Sequence, residues 1–310
     1  MNKLAIVTVA EKNIYERQVR LLCESIFKFL GRSVEYDIFV FSPRVNNKPN
    51  SQTKDFFKKH GITHIEKDLN IEFDYFPLAN SLFAANYFEK KFPEYKSILL
   101  VDSDTVFLNP ISPELINTKT VFAKIVDNIG VGSSGKYHKH DEFWKKIFDF
   151  FNLELPEPHY FTTVRIEPIR PYFNSGFVLA NNIDGFFQQW LADFIELMNS
   201  NIKPDYFGRD GTNFGFYEQL ALSITLAKFD NNFTLLPETY NYPVPFRPLL
   251  KERTNHPKFN ELNHIHYHKW FQHPEFLDHV TSDEEKKSEQ YLWLKQHLPL
   301  KPEIDGPLKC

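Results

Sequence analysis

Short apolar runs alternate with amphipathic segments through the first half of the chain, the rhythm of a mostly parallel sheet with crossover helices. Leu4 to Val9 reads as the first strand. Asn13 and Glu16 then have capping-box spacing, Val19, Leu22, Ile26, Phe29 and Leu30 share one helical stripe, and Gly31 supplies a stop. Tyr36 to Phe41 is the second strand, a short helix forms around Phe56 and Phe57, Ile62 to Ile65 is a strand, and a helix from Asn80 runs until Pro93 ends it. Ser97-Ile98-Leu99-Leu100-Val101 is apolar on both faces, as a central parallel strand should be, and stops at Asp102-Ser103-Asp104. Beyond it the periodicity loosens. Val121 to Val126 and Gly176 to Ala180 read as strands. Phe186 to Met198 reads as a helix with Phe187, Trp190, Leu191, Phe194 and Met198 inward, and Glu218 to Lys228 as another. Leu236 to Pro248 is proline-rich and expected to be largely irregular. There is no internal repeat, low-complexity tract or obvious linker.

Composition narrows the function classes. At 310 residues, 42% hydrophobic and 16% aromatic, the chain can bury a sizeable core in one large or two fused domains, which excludes disorder. A formal net charge of −4, from 36 basic against 40 acidic residues, gives no footprint for nucleic acid. Lys90-Lys91 and Lys145-Lys146 read as solvated helix faces. Two cysteines, Cys23 and Cys310, make no disulfide framework and point to a reducing compartment. The N-terminal apolar run is too short for a signal-peptide core and no stretch can span a bilayer, so the expectation is a cytoplasmic protein. Lys286, Lys287, Tyr291, Trp293, Leu294 and Lys295 form an amphipathic tail, read as a solvated helix or a peripheral membrane contact.

Two groups of residues carry candidate chemistry. Asp102 and Asp104 stand two apart at the carboxyl end of a buried strand, where open α/β sheets place their ligands. Like charges that close are costly without a cation, although a capped turn uses the same residues. His264, His266 and His268 alternate, which puts their imidazoles on one face of an extended segment. One strand does not readily aim all three at one ion. One histidine joining the carboxylates makes a mixed oxygen and nitrogen site suited to manganese, less well to magnesium, with positions left for a diphosphate. A structural or solvated histidine cluster is the alternative.

The run from Ile98 through Asp102-Ser103-Asp104 to Asn109 resembles the DxD segment of GT-A fold glycosyltransferases, and is most similar to family eight, the glycogenin and bacterial galactosyltransferase group. Other pieces follow in the family's order: Phe173-Asn174-Ser175-Gly176 resembles its FNSG strand, Glu218-Gln219 its Asp-Gln pair opening a helix, Leu236-Pro237 with Tyr240-Asn241 its LPxxYN element, and His266-Tyr267 with Lys269-Trp270 its terminal HY…KPW segment. The resemblance implies an α/β fold of GT-A type with a Rossmann-like, mostly parallel central sheet flanked by helices. It divides the chain into one catalytic domain over residues 1–275, with a nucleotide-binding half to 110 and a smaller acceptor-side half from 111, and a helical tail over 276–310.

By the same resemblance Asp102, Asp104 and His266 hold the cation, with His268 as rival. Thr8, Val9, Ala10 and Tyr15 contact the base, and Ser103, Asn174, Ser175, Gly176 and Lys269 complete the donor side. Gln219 sits beneath the transferred sugar beside Glu218. Asn86 stands where the family carries Arg or Lys, and the spacing from His266 to Lys269 is shortened, its proline absent. The implied activity is transfer of a hexose, with retention, from a nucleoside diphosphate, uridine diphosphate (UDP) by resemblance, to a glycan, lipid-linked or protein acceptor. An inverting enzyme needs a carboxylate base instead, and Asp127, Asp210 and Glu218 are available. A haloacid-dehalogenase-type phosphatase, whose nucleophile motif is similar to Asp102-Ser103-Asp104-Thr105-Val106 and for which Asp210-Gly211-Thr212-Asn213 is a weak downstream match, is the rival enzyme class. A catalytically silent sugar-nucleotide-binding protein is the third reading. Tyr172, Tyr206, Phe207, Phe214, Phe216 and Tyr217 serve either the core or an acceptor platform.

Overall fold

The structure, a computed structural model, describes residues 3–32, 34–203, 216–230, 232–250 and 256–302. Strand and helix alternate as far as the central strand: β1 (Leu4–Val9), α1 (Ile14–Phe29), β2 (Tyr36–Ser42), α2 (Ser51–Lys59), β3 (Thr63–Glu66), α3 (Asn80–Lys91) and β4 (Ser97–Val101). The middle of the chain adds β5 (Thr105–Phe107), α4 (Pro113–Ile116), β6 (Thr120–Ile125), α5 (Asp141–Phe150), β7 (Tyr160–Phe161), β8 (Pro168–Ile169), β9 (Phe173–Asn181) and α6 (Phe186–Asn199). Then come α7 (Tyr217–Lys228), β10 (Phe233–Leu235), β11 (Tyr242–Pro243), α8 (Arg247–Leu250), β12 (His264–His266), α9 (Phe276–Val280) and α10 (Glu289–His297).

Seven strands form one sheet in the order β3-β2-β1-β4-β9-β6-β10. Neighbours are parallel except where β9 pairs antiparallel with β4 and β6, so the fold is the expected mostly parallel α/β sheet flanked by helices. Alternation along β4 explains why it is apolar throughout: Ile98 and Leu100 join the core under α3, α6 and α7, while Leu99 and Val101 join the core under α1. Glu16 locks the first crossover, since it accepts from its own cap at Asn13 N (3.2 Å), from Asn50 N (2.9 Å) and from Thr53 Oγ1 (2.9 Å), tying α1 to α2.

Two expectations need correction. The strand read as Gly176 to Ala180 begins three residues earlier, at Phe173, because the polar Asn174 and Ser175 face the cleft described below and not the core. The proline-rich stretch is more regular than expected. Pro243 sits in β11, at the edge of the small sheet β11-β12-β5, and Val244–Phe246 is a 3-10 turn; an edge strand tolerates a missing backbone donor.

A third core gathers Val106, Tyr242, Val244, Ile265 and Tyr267 with Leu277, Tyr291, Leu294 and Leu300. Tyr291 and Leu294, apolar side chains on which a membrane contact of the tail would rest, are therefore buried. Among the described residues no helix is long and apolar enough to cross a membrane.

The tail is pinned to this core by a buried ion pair. Glu285 takes Arg247 Nη1 and Nη2 at 3.0 and 2.5 Å, and the backbone amides of Phe259 and Ser282 at 2.8 Å each. Burial opposes the charge of Glu285, yet Arg247 and the two amides hold its carboxyl down at about 2. Glu285→Gln leaves a buried guanidinium without its partner and should cost about 3 kcal/mol in urea unfolding at pH 7. The group's folded value is depressed, so its contribution is complete above the unfolded carboxylate's value of about 4.3 and is lost as pH falls from there toward 2. The gap between parent and variant should close over that window; a constant gap contradicts the assignment.

Candidate active site

β1 and β4 lie side by side in parallel, Leu4 opposite Ser97 and Val7 opposite Leu100, so both release their chains at the same edge of the sheet. A cleft of ≈ 470 Å³ opens there, lined by Val9 at the end of β1 and Glu11 and Tyr15 after it, Asp102, Ser103 and Asp104 beyond β4, and Asp127 and Asn128 beyond β6. Asn174 and Ser175 of β9, Glu218 and Gln219 of α7, Phe246, His266 and His268 close it. The volume is that of a small-molecule site.

Backbone bonds hold the acidic turn. Asp102 N donates to Gly176 O (3.2 Å), Thr105 Oγ1 donates to Asp102 O (2.7 Å), and Tyr267 N donates to Asp104 O (3.1 Å). Because β5 and β12 run antiparallel with His266 opposite Thr105, His266 arrives beside Asp104, its Nε2 3.2 Å from Oδ1. His268 lies beyond the end of β12 at φ 50°, a left-handed turn that brings its ring to 4.0 Å from that of His266 and its Nδ1 to 3.8 Å from Asp104 Oδ2. One ligand atom from each of Asp104, His266 and His268 falls within 4.8 Å of the others. Two histidines therefore reach the acidic turn instead of one. His264 does not: it is buried between Phe107 and Phe177, with ring centroids at 4.7 and 4.9 Å.

The charges in the cleft are unbalanced. Five acidic side chains line it, those of Glu11, Asp102, Asp104, Asp127 and Glu218, and among the described lining residues there is no Lys or Arg. Burial and the neighbouring Asp104 raise the Asp102 carboxyl. Burial raises Asp127 against the pull of Lys124 and His266, and raises Glu218 to about 8 with help from Asp102. On Asp104 and His266 burial opposes both charges and their mutual attraction wins: the Asp104 carboxyl is lowered, and the His266 imidazolium persists to about 9 with further support from Asp102 and Asp127. Burial and the charge of His266 push His268 down to about 4.

The expected site residues are divided between the lining and its surroundings. α3 enters the cleft only with Asn80 and Ser81 in its first turn, so Asn86, more than a turn further on, is outside the lining. Lys269 follows the left-handed turn at His268 out to solvent. Thr8 and Ala10 are buried in and just beyond β1, while Val9 and the half-exposed Tyr15 face the cleft. Tyr172 and Tyr217 are buried and Phe216 is exposed at the cleft; Tyr206, Phe207, Phe214 and Asp210-Gly211-Thr212-Asn213 lie outside the described residues. Sequence reasoning missed Glu11, which accepts from Arg44 Nε (2.7 Å) and from Asn80 Nδ2 (3.0 Å) and so joins the ends of β1 and β2 to the start of α3. Its position two residues past the β1 end was the available signal.

Residues 6–230 match the family model described as the Rhodobacterales glycosyltransferase domain. The chain belongs to that family. This glycosyltransferase is also similar in fold to a solved structure titled WbbM bifunctional glycosyltransferase, in its apo form, with a TM-score of 0.54 and 15% sequence identity over 96% of this chain. The match covers 52% of that protein, so this chain spans about half its length. No curated protein is similar enough in sequence to match.

Gly176 makes the approach of His266 possible. A Cβ placed there meets the Cε1 and Nδ1 atoms of His266 at 2.7 Å, closer than such contacts occur. Gly176→Ala should therefore displace the imidazole from Asp104 and destabilise the fold by about 1–3 kcal/mol in denaturant titration. Unchanged stability contradicts this packing.

Proposed function

We propose that this glycosyltransferase takes its sugar from a nucleoside diphosphate in a cation-dependent reaction centred on Asp102, Asp104, His266 and His268. The observation that carries the reading is the charge of the cleft: a diphosphate would face the carboxylates of Glu11, Asp102, Asp104 and Asp127 with no Lys or Arg among the described lining residues. A divalent cation removes that conflict. The donor set fits one, because a carboxylate oxygen of Asp104 and imidazole nitrogens of His266 and His268 converge within 4.8 Å, and His266 Nδ1 is buried without a hydrogen-bond partner. Mixed oxygen and nitrogen donors suit Mn2+, with Mg2+ a poorer match.

When bound, the cation neutralises the negative charge that grows on the departing diphosphate. The protein's own residues do the rest. Tyr15, half-exposed at the cleft, offers its ring to the base, and Glu11, fixed by Arg44, offers a carboxylate acceptor. Asn174, Ser175, Glu218 and Gln219 offer polar atoms to the sugar, and at neutral pH the raised Glu218 carboxyl keeps its proton and donates. The GT-A and family-eight resemblance supports UDP as the nucleotide and retention at the anomeric carbon, with glycans, lipid-linked sugars and proteins as acceptor classes. The phosphatase reading is not favoured, since the family match covers the acidic turn and the strands before it.

A panel of nucleotide-sugars tests this directly, with hydrolysis followed in Mn2+ and in chelator. One nucleoside diphosphate should be released only with the cation, and Asp104→Asn should slow release about a hundredfold or more. Release that persists in chelator, or phosphate freed from aryl phosphates without any nucleotide-sugar hydrolysis, overturns the proposal.

A further inference from the structure

Lys124 is a buried cation outside the cleft lining. It lies on β6 with 6% of its surface exposed, and its Nζ donates to three backbone carbonyls, those of Glu238 (3.4 Å), Tyr240 (3.1 Å) and Asn241 (3.2 Å). An ammonium has three N–H bonds, so three carbonyls match its donors. Burial lowers its proton affinity to about 8, against the favourable charge of Asp127 and Glu238. Such a group stays charged at neutral pH and holds the loop after β10 against β6.

That loop acts on the cleft through one side chain. Asn241 sits at φ 45° and donates from Nδ2 to Asn174 Oδ1 at 2.9 Å. The same oxygen accepts from Gly176 N at 2.8 Å. With Oδ1 occupied twice, the amide is oriented, and Nδ2 is the atom that Asn174 has left for a ligand in the cleft it lines. The oxygen and nitrogen of this amide are assigned by these two donors, because both require an acceptor.

We infer that Lys124 is a positioning residue of the donor site: by fixing the backbone of residues 238–241 it holds Asn241 against Asn174, which then presents its amide N–H to an oxygen of the sugar-nucleotide. The inference rests on the donor reading above. The oxygen belongs either to a sugar hydroxyl or to the diphosphate, and both accept from an amide in the same way.

Lys124→Met, Asn241→Ala, the double variant and Asn174→Asp are compared with the parent by calorimetric titration of UDP and of the hydrolysed UDP-sugar in Mn2+, alongside kcat, thermal midpoint and the Asn174 side-chain amide resonance in nitrogen-15 NMR. An aspartate still accepts from Gly176 and Asn241 but cannot donate. Asn174→Asp should therefore weaken donor binding about tenfold or more, since the added carboxylate also repels a diphosphate. Lys124→Met and Asn241→Ala should each weaken it similarly with kcat little changed, and the double variant should be no worse than either single, as expected of residues acting in series. Loss for UDP and UDP-sugar alike assigns the oxygen to the diphosphate; loss for the UDP-sugar alone assigns it to a hydroxyl. Should Lys124→Met fail to fold, Asn241→Ala carries the same expectation. Effects that multiply in the double variant overturn the inference, as does full donor affinity in Asn174→Asp. A parent that binds no sugar-nucleotide overturns the donor reading instead, and the positioning claim is then decided by the amide resonance, which must move in Lys124→Met or Asn241→Ala.

Discussion

The contact between Asp104 and His266 is the constraint on which the site depends. It joins the end of the central sheet to the small sheet, and it forms only because β5 and β12 pair with His266 opposite Thr105. Gly176, without a side chain, leaves room for the imidazole against β9, and the amide of Asp102 is tied to the carbonyl of that same glycine. Three separated stretches of chain are thus brought to one point, two of them at strand ends and the third within β9. Such a site is more rigid than one built on loops.

Electrostatics gives that point its character. A fold that buries like charges pays unless something compensates, and here the described compensation within the lining is two imidazoles, only one of them readily protonated. Arg44 and Lys124, the cations nearest to Glu11 and Asp127, are turned to structural tasks: Arg44 fixes Glu11, and Lys124 holds a loop. The cleft is therefore better suited to a cation and to hydroxyl-rich ligands than to a bare anion.

Much of this was legible in the sequence where side-chain period and burial coincide. The both-faces-apolar run Ser97 to Val101 matches β4 end to end, and the stripe on α1 is buried as its spacing requires. The rest was hidden for physical reasons. β9 begins with polar residues that serve the cleft, so its apolar pattern starts late. The second histidine at the acidic turn depends on a left-handed residue that is not a glycine, which composition does not announce. Asn86 matches a family position in sequence, whereas only the first turn of α3 reaches the cleft. Lys124 lies in an apolar strand, and its meaning comes from a loop more than a hundred residues away in sequence.

The central claim is that the acidic cleft accepts a nucleoside diphosphate only together with a divalent cation held by Asp104 and its neighbours. Calorimetric titration of UDP into the parent chain, once with Mn2+ and once with the metal removed by chelation, tests it most directly. Saturable binding with Mn2+ and none without it is the predicted result; equal affinity in both conditions would contradict the claim.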